Sequence, residues 1–99
     1  MKSLKFTWDE KKNLTNQQKH GVSFDEAKTV FSDEYARLIA DPDHSQQEER
    51  FLLMGVSNQL RLLLVCHCYR EEGGQIRVIS ARKANKLEQK QYEGFHNAR

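Results

Sequence analysis

The sequence predicts one α+β domain over residues 1–99, in which a small antiparallel β-sheet packs against two N-terminal helices and a C-terminal helix. Two observations predict this fold class. Residues 50–81 contain three apolar segments separated by short polar linkers, which is the pattern of a β-meander. The flanking regions carry helix-capping and helix-stop signals instead. A chain of 99 residues has room for a single hydrophobic core, so we expect no second domain.

The first predicted elements are a strand and a polar helix. Residues 4–8 alternate apolar and polar side chains, which favours a short strand. Asp9 is a suitable helix N-cap, and the helix predicted from there to about residue 19 has Leu14 as its only apolar residue. A helix with so little apolar surface should lie on the outside of the protein. The side chains expected to be exposed on it are Lys11, Lys12, Asn16 and Lys19.

A second helix follows a clear stop signal. His20 and Gly21 end the first helix, because glycine readily adopts the left-handed conformation found there. Ser23 and Glu26 have the spacing of a capping box, in which the Ser23 hydroxyl accepts from the Glu26 amide and the Glu26 side chain reaches back. The helix that they begin is amphipathic. Its apolar face contains Phe24, Ala27, Val30 and Phe31.

The remainder of the chain predicts four strands and a closing helix. A strand over residues 35–40 ends before Pro42, which lacks an amide donor, and a polar loop follows. Three further strands are predicted over residues 50–56, 60–69 and 75–81. Their short linkers favour hairpins, and therefore an antiparallel meander. The final helix, over residues 83–95, has sparse apolar positions, namely Ala84, Leu87, Tyr92 and Phe95.

The charge distribution favours a polyanionic partner. The formal net charge is +2, but residues 1–31, 32–60 and 61–99 carry six, two and eight Lys or Arg against four, six and four Asp or Glu. The segment sums are therefore +2, −4 and +4. No apolar run approaches the ~18 residues of a membrane span, and no signal-peptide pattern follows Met1. We expect a soluble, cytoplasmic protein without membrane contact.

The two cysteines are expected to be reduced. Cys66 and Cys68 lie two residues apart in a predicted strand, so both face the same way, which is poor geometry for a disulfide. A zinc site that also used His67 is disfavoured, because His67 points to the opposite face and no second cysteine pair exists. We expect no metal site and no cofactor.

Two adjacent cations follow the last predicted strand. Arg82 and Lys83 come directly after the alternating segment at residues 76–79, so a rigid strand would present both charges at its end. Arginine offers a planar fork that matches two phosphate oxygens. The alternative is a solvated basic start to the final helix, which the helix dipole would oppose.

The sequence also resembles the BrnT toxin family across residues 6–92. Matching residues occur in order along the chain, and they include Trp8-Asp9, Lys19-His20-Gly21-Val22-Ser23-Phe24, Glu26-Ala27, Val30-Phe31, Asp33, Glu48-Glu49-Arg50-Phe51, Gly55, Ser57, Arg61, His67 and Ile79-Ser80-Ala81-Arg82-Lys83-Ala84. The resemblance implies a RelE-like fold and a ribonuclease toxin of a bacterial type II toxin-antitoxin system, which arrests growth. It also implies a ribbon-helix-helix antitoxin of the BrnA type that binds operator DNA. Leu60 departs from the pattern, which has a glycine before the arginine.

Metal-free RNA cleavage by the 2′-OH needs a base, an acid and cations around the phosphorane. Arg82 and Lys83 are the candidates for charge stabilisation. His67 is the candidate for proton transfer, because an ordinary histidine pKa lies near neutral pH. The alternative for His67 is a half-buried ring bonded to a backbone carbonyl.

Further candidates complete the predicted site. Glu49 and Arg50 open the third predicted strand, and would supply a carboxylate base and a phosphate contact or else form a simple ion pair. Arg61, at the polar rim of the strand face that carries His67, is a candidate phosphate contact.

Three more residues are candidates for RNA binding, each with a structural alternative. Lys19 and His20 would contact RNA or else stabilise a helix C-terminus. Tyr92 would stack on a base or else belong to the core. His44 is a weaker candidate in the polar loop.

A non-catalytic module that binds nucleic acid or protein through its basic ends is the alternative to a ribonuclease. Incubation with RNA in excess EDTA separates the two, because cleavage indicates the enzyme and salt-sensitive retardation without products indicates the module.

Overall fold

The computed structural model of the chain describes residues 4–40 and 49–97. The strands are β1 (Lys5–Thr7), β2 (Arg37–Ala40), β3 (Phe51–Val56), β4 (Leu62–Arg70) and β5 (Gln75–Lys83). The helices are α1 (Glu10–His20), α2 (Phe24–Lys28) and α3 (Lys86–Asn97), and a 3₁₀ turn at Thr29–Ser32 extends α2. The predicted loop with Pro42 and His44 lies outside the described residues, as does the side chain of Phe95.

The five strands form one sheet in the order β1-β5-β4-β3-β2. The predicted antiparallel meander is confirmed, since β3 pairs with β4 and β4 with β5 in antiparallel register. The expectation of a wholly antiparallel sheet needs correction, because β1 pairs with β5 in parallel. Between β1 and β5 the chain passes through α1, α2 and strands β2–β4. The α+β fold class is confirmed, with a mixed sheet.

The last strand is longer than predicted, and this changes the place of two candidate residues. Arg82 and Lys83 are opposite Leu64 and Leu63, so both belong to β5 and neither begins the final helix. Asn85 instead caps α3, because it accepts from the Glu88 amide at 2.8 Å while the Glu88 carboxylate accepts from the Asn85 amide at 2.9 Å. An Asn followed three residues later by Glu is the capping-box signal that would have located this boundary.

Two apolar clusters lie on opposite faces of the sheet. The larger cluster is covered by α2 and contains Val22, Phe24, Ala27, Val30, Leu53, Leu63, Val65, Val78 and Ala81. The predicted apolar face of α2 is therefore confirmed. The smaller cluster lies beneath α3 and contains Met54, Leu64, Ala84 and Tyr92. Residues that alternate along β4 thus point to different layers.

The expectation that Asn16 is exposed on α1 is wrong. Asn16 is 6% exposed and pairs with the backbone of Ala81 in both directions, donating to its carbonyl at 2.8 Å and accepting from its amide at 3.1 Å. The same side-chain amide donates to Val22 O at 2.8 Å. Asn13 is buried too, and accepts from the Phe24 amide. Side-chain amides therefore fix this polar helix to the sheet.

Replacing Asn16 should measure the strength of this attachment. Asn16→Ala leaves buried Ala81 and Val22 backbone groups without their partner, which should lower the free energy of unfolding by about 3 kcal/mol. Urea denaturation measures the change. Gln18→Ala, on the exposed surface of the same helix, is the matched control and should change stability by less than about 0.5 kcal/mol. Equal effects of the two substitutions would contradict the proposed attachment.

Candidate functional site: a cationic cleft at one end of the sheet

Three of the predicted site residues line one cleft. It has a volume of about 430 Å³ and lies where the β3–β4 hairpin, the end of β5 and α3 meet. Its lining consists of Leu60, Arg61, Leu62, Lys83, Ala84, Gln89, Tyr92 and Glu93. The structure therefore brings together the predicted cations of two neighbouring strands and the predicted aromatic residue.

Arg61 is held in place by a buried carboxylate. Glu26 is 3% exposed and accepts from Nε of Arg61 at 2.9 Å, while Nη2 of Arg61 pairs with its other oxygen. The Ser57 hydroxyl donates to the same carboxylate at 2.6 Å. The capping box is thus confirmed only for its Ser23 half, because the Glu26 side chain bonds the hairpin instead of reaching back.

The electrostatics of this pair keep both groups charged. The Arg61 hydrogen bonds lower the pKa of Glu26, although burial raises it. The hydrogen bond from Ser57 and the charge of Lys83 also lower the pKa. The Glu26 carboxylate in turn raises the pKa of Arg61. Neutralising Glu26 would therefore release the guanidinium from its fixed orientation.

The end of α1 lies beside Arg61. Gly21 follows the helix with φ of 69°, and its amide donates to Gln17 O at 2.9 Å. Its carbonyl accepts from Nη2 of Arg61 at 3.0 Å. Lys19 is exposed and His20 is partly exposed. Because they directly precede Gly21, both predicted RNA contacts are at the same end of the molecule as Arg61.

Tyr92 is mainly a core residue. It is 8% exposed, and its hydroxyl donates to Asp33 at 2.6 Å. Burial and the Asp33 carboxylate raise the pKa of Tyr92 well above its usual value. Asp33 also accepts from the Val56 amide at the end of β3. Tyr92 therefore forms a firm wall of the cleft, and base stacking on it stays a prediction.

Arg82 does not point into the cleft with Lys83. Both of its terminal nitrogens donate to the Glu88 carboxylate, each at 2.9 Å, on the sheet face covered by α3. This bidentate pair raises the pKa of Arg82 and lowers that of Glu88. Neighbouring residues on a strand face opposite ways, so extension of β5 through Lys83 separates the two cations.

His67 lies in the other layer of the protein. It is 0% exposed, and its ring centroid is 4.8 Å from that of Phe31. Its Nδ1 is 3.0 Å from Val65 O, and its Nε2 is 3.2 Å from the Tyr69 hydroxyl. Burial lowers the pKa of His67, so the neutral ring is favoured. The structure does not bring His67 together with Arg82, and its role in proton transfer stays a prediction.

Glu49 and Arg50 lie at the far end of the sheet. They immediately precede Phe51, which is opposite His67, whereas the cleft begins beyond Val56, which is opposite Leu62. Phe51 and Val56 are five residue steps apart along the extended strand, or about 17 Å. Convergence of these residues with Arg61 on one phosphate is not supported by this geometry.

The described residues contain no group of three or more His, Cys, Asp or Glu side chains that could hold a metal ion. Cys66 and Cys68 are buried and do not form a disulfide. In the same part of the chain, no helix combines the length and apolar character needed to cross a membrane.

Comparison with known proteins identifies the family. A family model for the ribonuclease toxin BrnT of type II toxin-antitoxin systems matches residues 8–88. The chain belongs to the BrnT family of ribonuclease toxins. Among solved structures it is similar to the Brucella abortus ribonuclease toxin BrnT, with a TM-score of 0.62 and 28% identity over 85% of this chain and 100% of that chain. No curated protein matches it. The predicted BrnT resemblance is confirmed, and most of α3 lies beyond the residues that the family model matches.

Removing the Arg61 side chain should destabilise this BrnT domain. Arg61→Ala leaves the Glu26 carboxylate buried without its cation, which should cost about 3 kcal/mol of unfolding free energy by urea denaturation. Lys28→Ala breaks an exposed ion pair with Asp25 and a cation–π contact with Trp8, and should cost less than about 1 kcal/mol. A loss at Arg61 as small as that at Lys28 would contradict the structural role of the buried pair.

The burial of His67 should make stability depend on pH. Its pKa is lowered in the folded state, so the unfolded state binds more protons once the pH falls below the ordinary value of 6.5. The unfolding free energy should therefore decrease between pH 7 and pH 5, as measured by urea denaturation at each pH. His67→Gln should flatten that decrease. Parallel pH profiles for the parent and the variant would show that His67 does not cause it.

Proposed function

We propose that this BrnT toxin is a metal-independent endoribonuclease that cleaves RNA by attack of the 2′-OH and binds the scissile phosphate at the Arg61–Lys83 end of the cleft. The observation that carries the proposal is the presence of these two cations, one from the β3–β4 hairpin and one from the end of β5, in one concave surface. The bonds to Glu26 and Gly21 use Nε and Nη2 of Arg61 and fix the guanidinium plane, so we assign Nη1 to the phosphate. Fixed cations stabilise developing charge without reorganisation.

We assign proton transfer to His20. It is partly exposed and directly precedes Gly21, whose carbonyl bonds Arg61, so its backbone is next to the residue that contacts the Arg61 guanidinium. Its neighbour Lys19 would contact the RNA backbone. His67 is completely buried, so direct contact between its ring and the substrate is not expected. Arg82 is not assigned to the phosphate either, because both of its terminal nitrogens already donate to Glu88.

The cellular context is inferred from the family. The type II toxin-antitoxin description supports an antitoxin partner. We propose that this partner is a ribbon-helix-helix protein of the BrnA type, which neutralises the toxin and binds operator DNA, and that the free toxin acts in the cytoplasm and arrests growth. We further propose that the fold is RelE-like, in keeping with the mixed sheet and its helices.

Cleavage of RNA by purified protein in excess EDTA tests the proposed function. The parent should give products with 2′,3′-cyclic phosphate ends, since the adjacent 2′-OH is the nucleophile. Lys83→Ala should reduce the cleavage rate about 100-fold through loss of phosphate stabilisation, and His20→Gln should reduce it by a similar factor. Lys28→Ala removes a cation that does not line the cleft, so it is the matched control and should retain the parent rate.

Two outcomes would contradict the proposal. Salt-sensitive RNA retardation without products would favour the non-catalytic binding module. Cleavage that survives both Lys83→Ala and His20→Gln but is lost in His67→Gln, with the variant folded by circular dichroism, would move the site to the other face of the sheet.

A further inference from the structure

Leu60, at the tip of the β3–β4 hairpin, has a left-handed backbone conformation and a largely exposed side chain. Ser57 and Arg61 close the turn, with the Ser57 amide donating to Arg61 O at 2.8 Å. The last loop residue before Arg61 must then take a left-handed conformation, and Leu60 has φ of 61°. Its side chain is 86% exposed. Glycine would adopt this conformation without strain, so a leucine here lowers stability while presenting apolar surface to water.

The position of Leu60 indicates a function for its strained backbone and exposed side chain. Among the three non-glycine residues with positive φ in the described part of the chain, Leu60 is the apolar one, and Glu71 and Glu72 are the others. It forms the rim of the cleft beside Arg61. Backbone strain that packing does not require is concentrated at binding sites.

The cleft itself combines two kinds of surface. Arg61 and Lys83 supply positive charge, whereas Leu60, Leu62 and Ala84 supply apolar surface. A nucleotide has the same division, since its phosphate is anionic and the faces of its base are apolar. Gln89 and Glu93 at the α3 side offer hydrogen-bonding groups for a base edge. The volume of about 430 Å³ falls within the range of small-ligand pockets.

We propose that Leu60 is a specificity-determining residue, which packs against one unstacked base of single-stranded RNA while the adjoining phosphate binds Arg61 and Lys83. This inference rests on the proposed ribonuclease function and extends it to the base. Sequence-dependent RNA recognition usually acts on bases that have left the stack, and an apolar side chain can cover such a base. The lining carries two cations against the one carboxylate of Glu93, so charge complementarity favours anionic RNA over an uncharged protein segment as the occupant of the cleft.

The experiment separates stability from recognition. Leu60→Gly and Leu60→Asn both suit the left-handed conformation, so neither should unfold the protein, and Leu60→Gly should raise the thermal midpoint by about 4 °C. Both should weaken binding to a short random-sequence RNA pool carrying 2′-O-methyl groups about tenfold, as measured by fluorescence anisotropy. Sequencing of the products from an unmodified pool should show a relaxed base preference at the cleavage site. Leu60→Met, which keeps an apolar side chain, should retain the parent preference.

Leu14→Gln is the matched control, because it replaces another exposed leucine on α1 that does not line the cleft. It should leave binding and preference unchanged. If the parent cleaves RNA and Leu60→Gly has the same affinity and base preference, the assignment of Leu60 is overturned while the proposed function stands. If Leu60→Gly cleaves like the parent but is no longer neutralised by the antitoxin, Leu60 contacts protein and the assignment is again overturned. If the parent neither binds nor cleaves RNA, the proposed function itself fails.

Discussion

Glu26 lies 3% exposed between α2 and the β3–β4 hairpin, where an unpaired carboxylate would be too costly to bury. Its bonds to Ser57 and Arg61 compensate that cost and, in doing so, join two distant parts of the chain. Arg61 continues the connection to the end of α1 through Gly21 O. The cationic end of the molecule therefore depends on a single buried negative charge.

The same principle attaches the other polar elements. Asn16 completes the hydrogen bonding of Ala81 and ties α1 to β5. Asp33 accepts from the Val56 amide at the end of β3 and from the hydroxyl of Tyr92 in α3. Helices with little apolar surface are thus fixed by directional bonds to backbone and hydroxyl groups. Directional bonds hold these elements at defined positions, which a cleft built from three separate elements requires.

The structure divides the cationic and imidazole groups of the chain between different environments. His67 is enclosed by aromatic rings, and Arg82 is paired with the Glu88 carboxylate. Lys83 and Arg61 remain at a concave surface. The BrnT family match gives the chain a ribonuclease assignment, and it is these two cations that we propose to contact RNA.

The sequence by itself determined the α+β class, the order of the elements, the capped helix at Ser23 and the BrnT family, because caps, turns and alternation are local patterns. Only the tertiary structure decided that Asn16 is buried, that β1 pairs in parallel and that Arg82 and His67 face opposite layers. A two-residue extension of β5 moved Lys83 into the strand and turned Arg82 toward α3. The physical reason is that pairing partners and strand register come from contacts between residues far apart in the chain, which a local pattern does not encode.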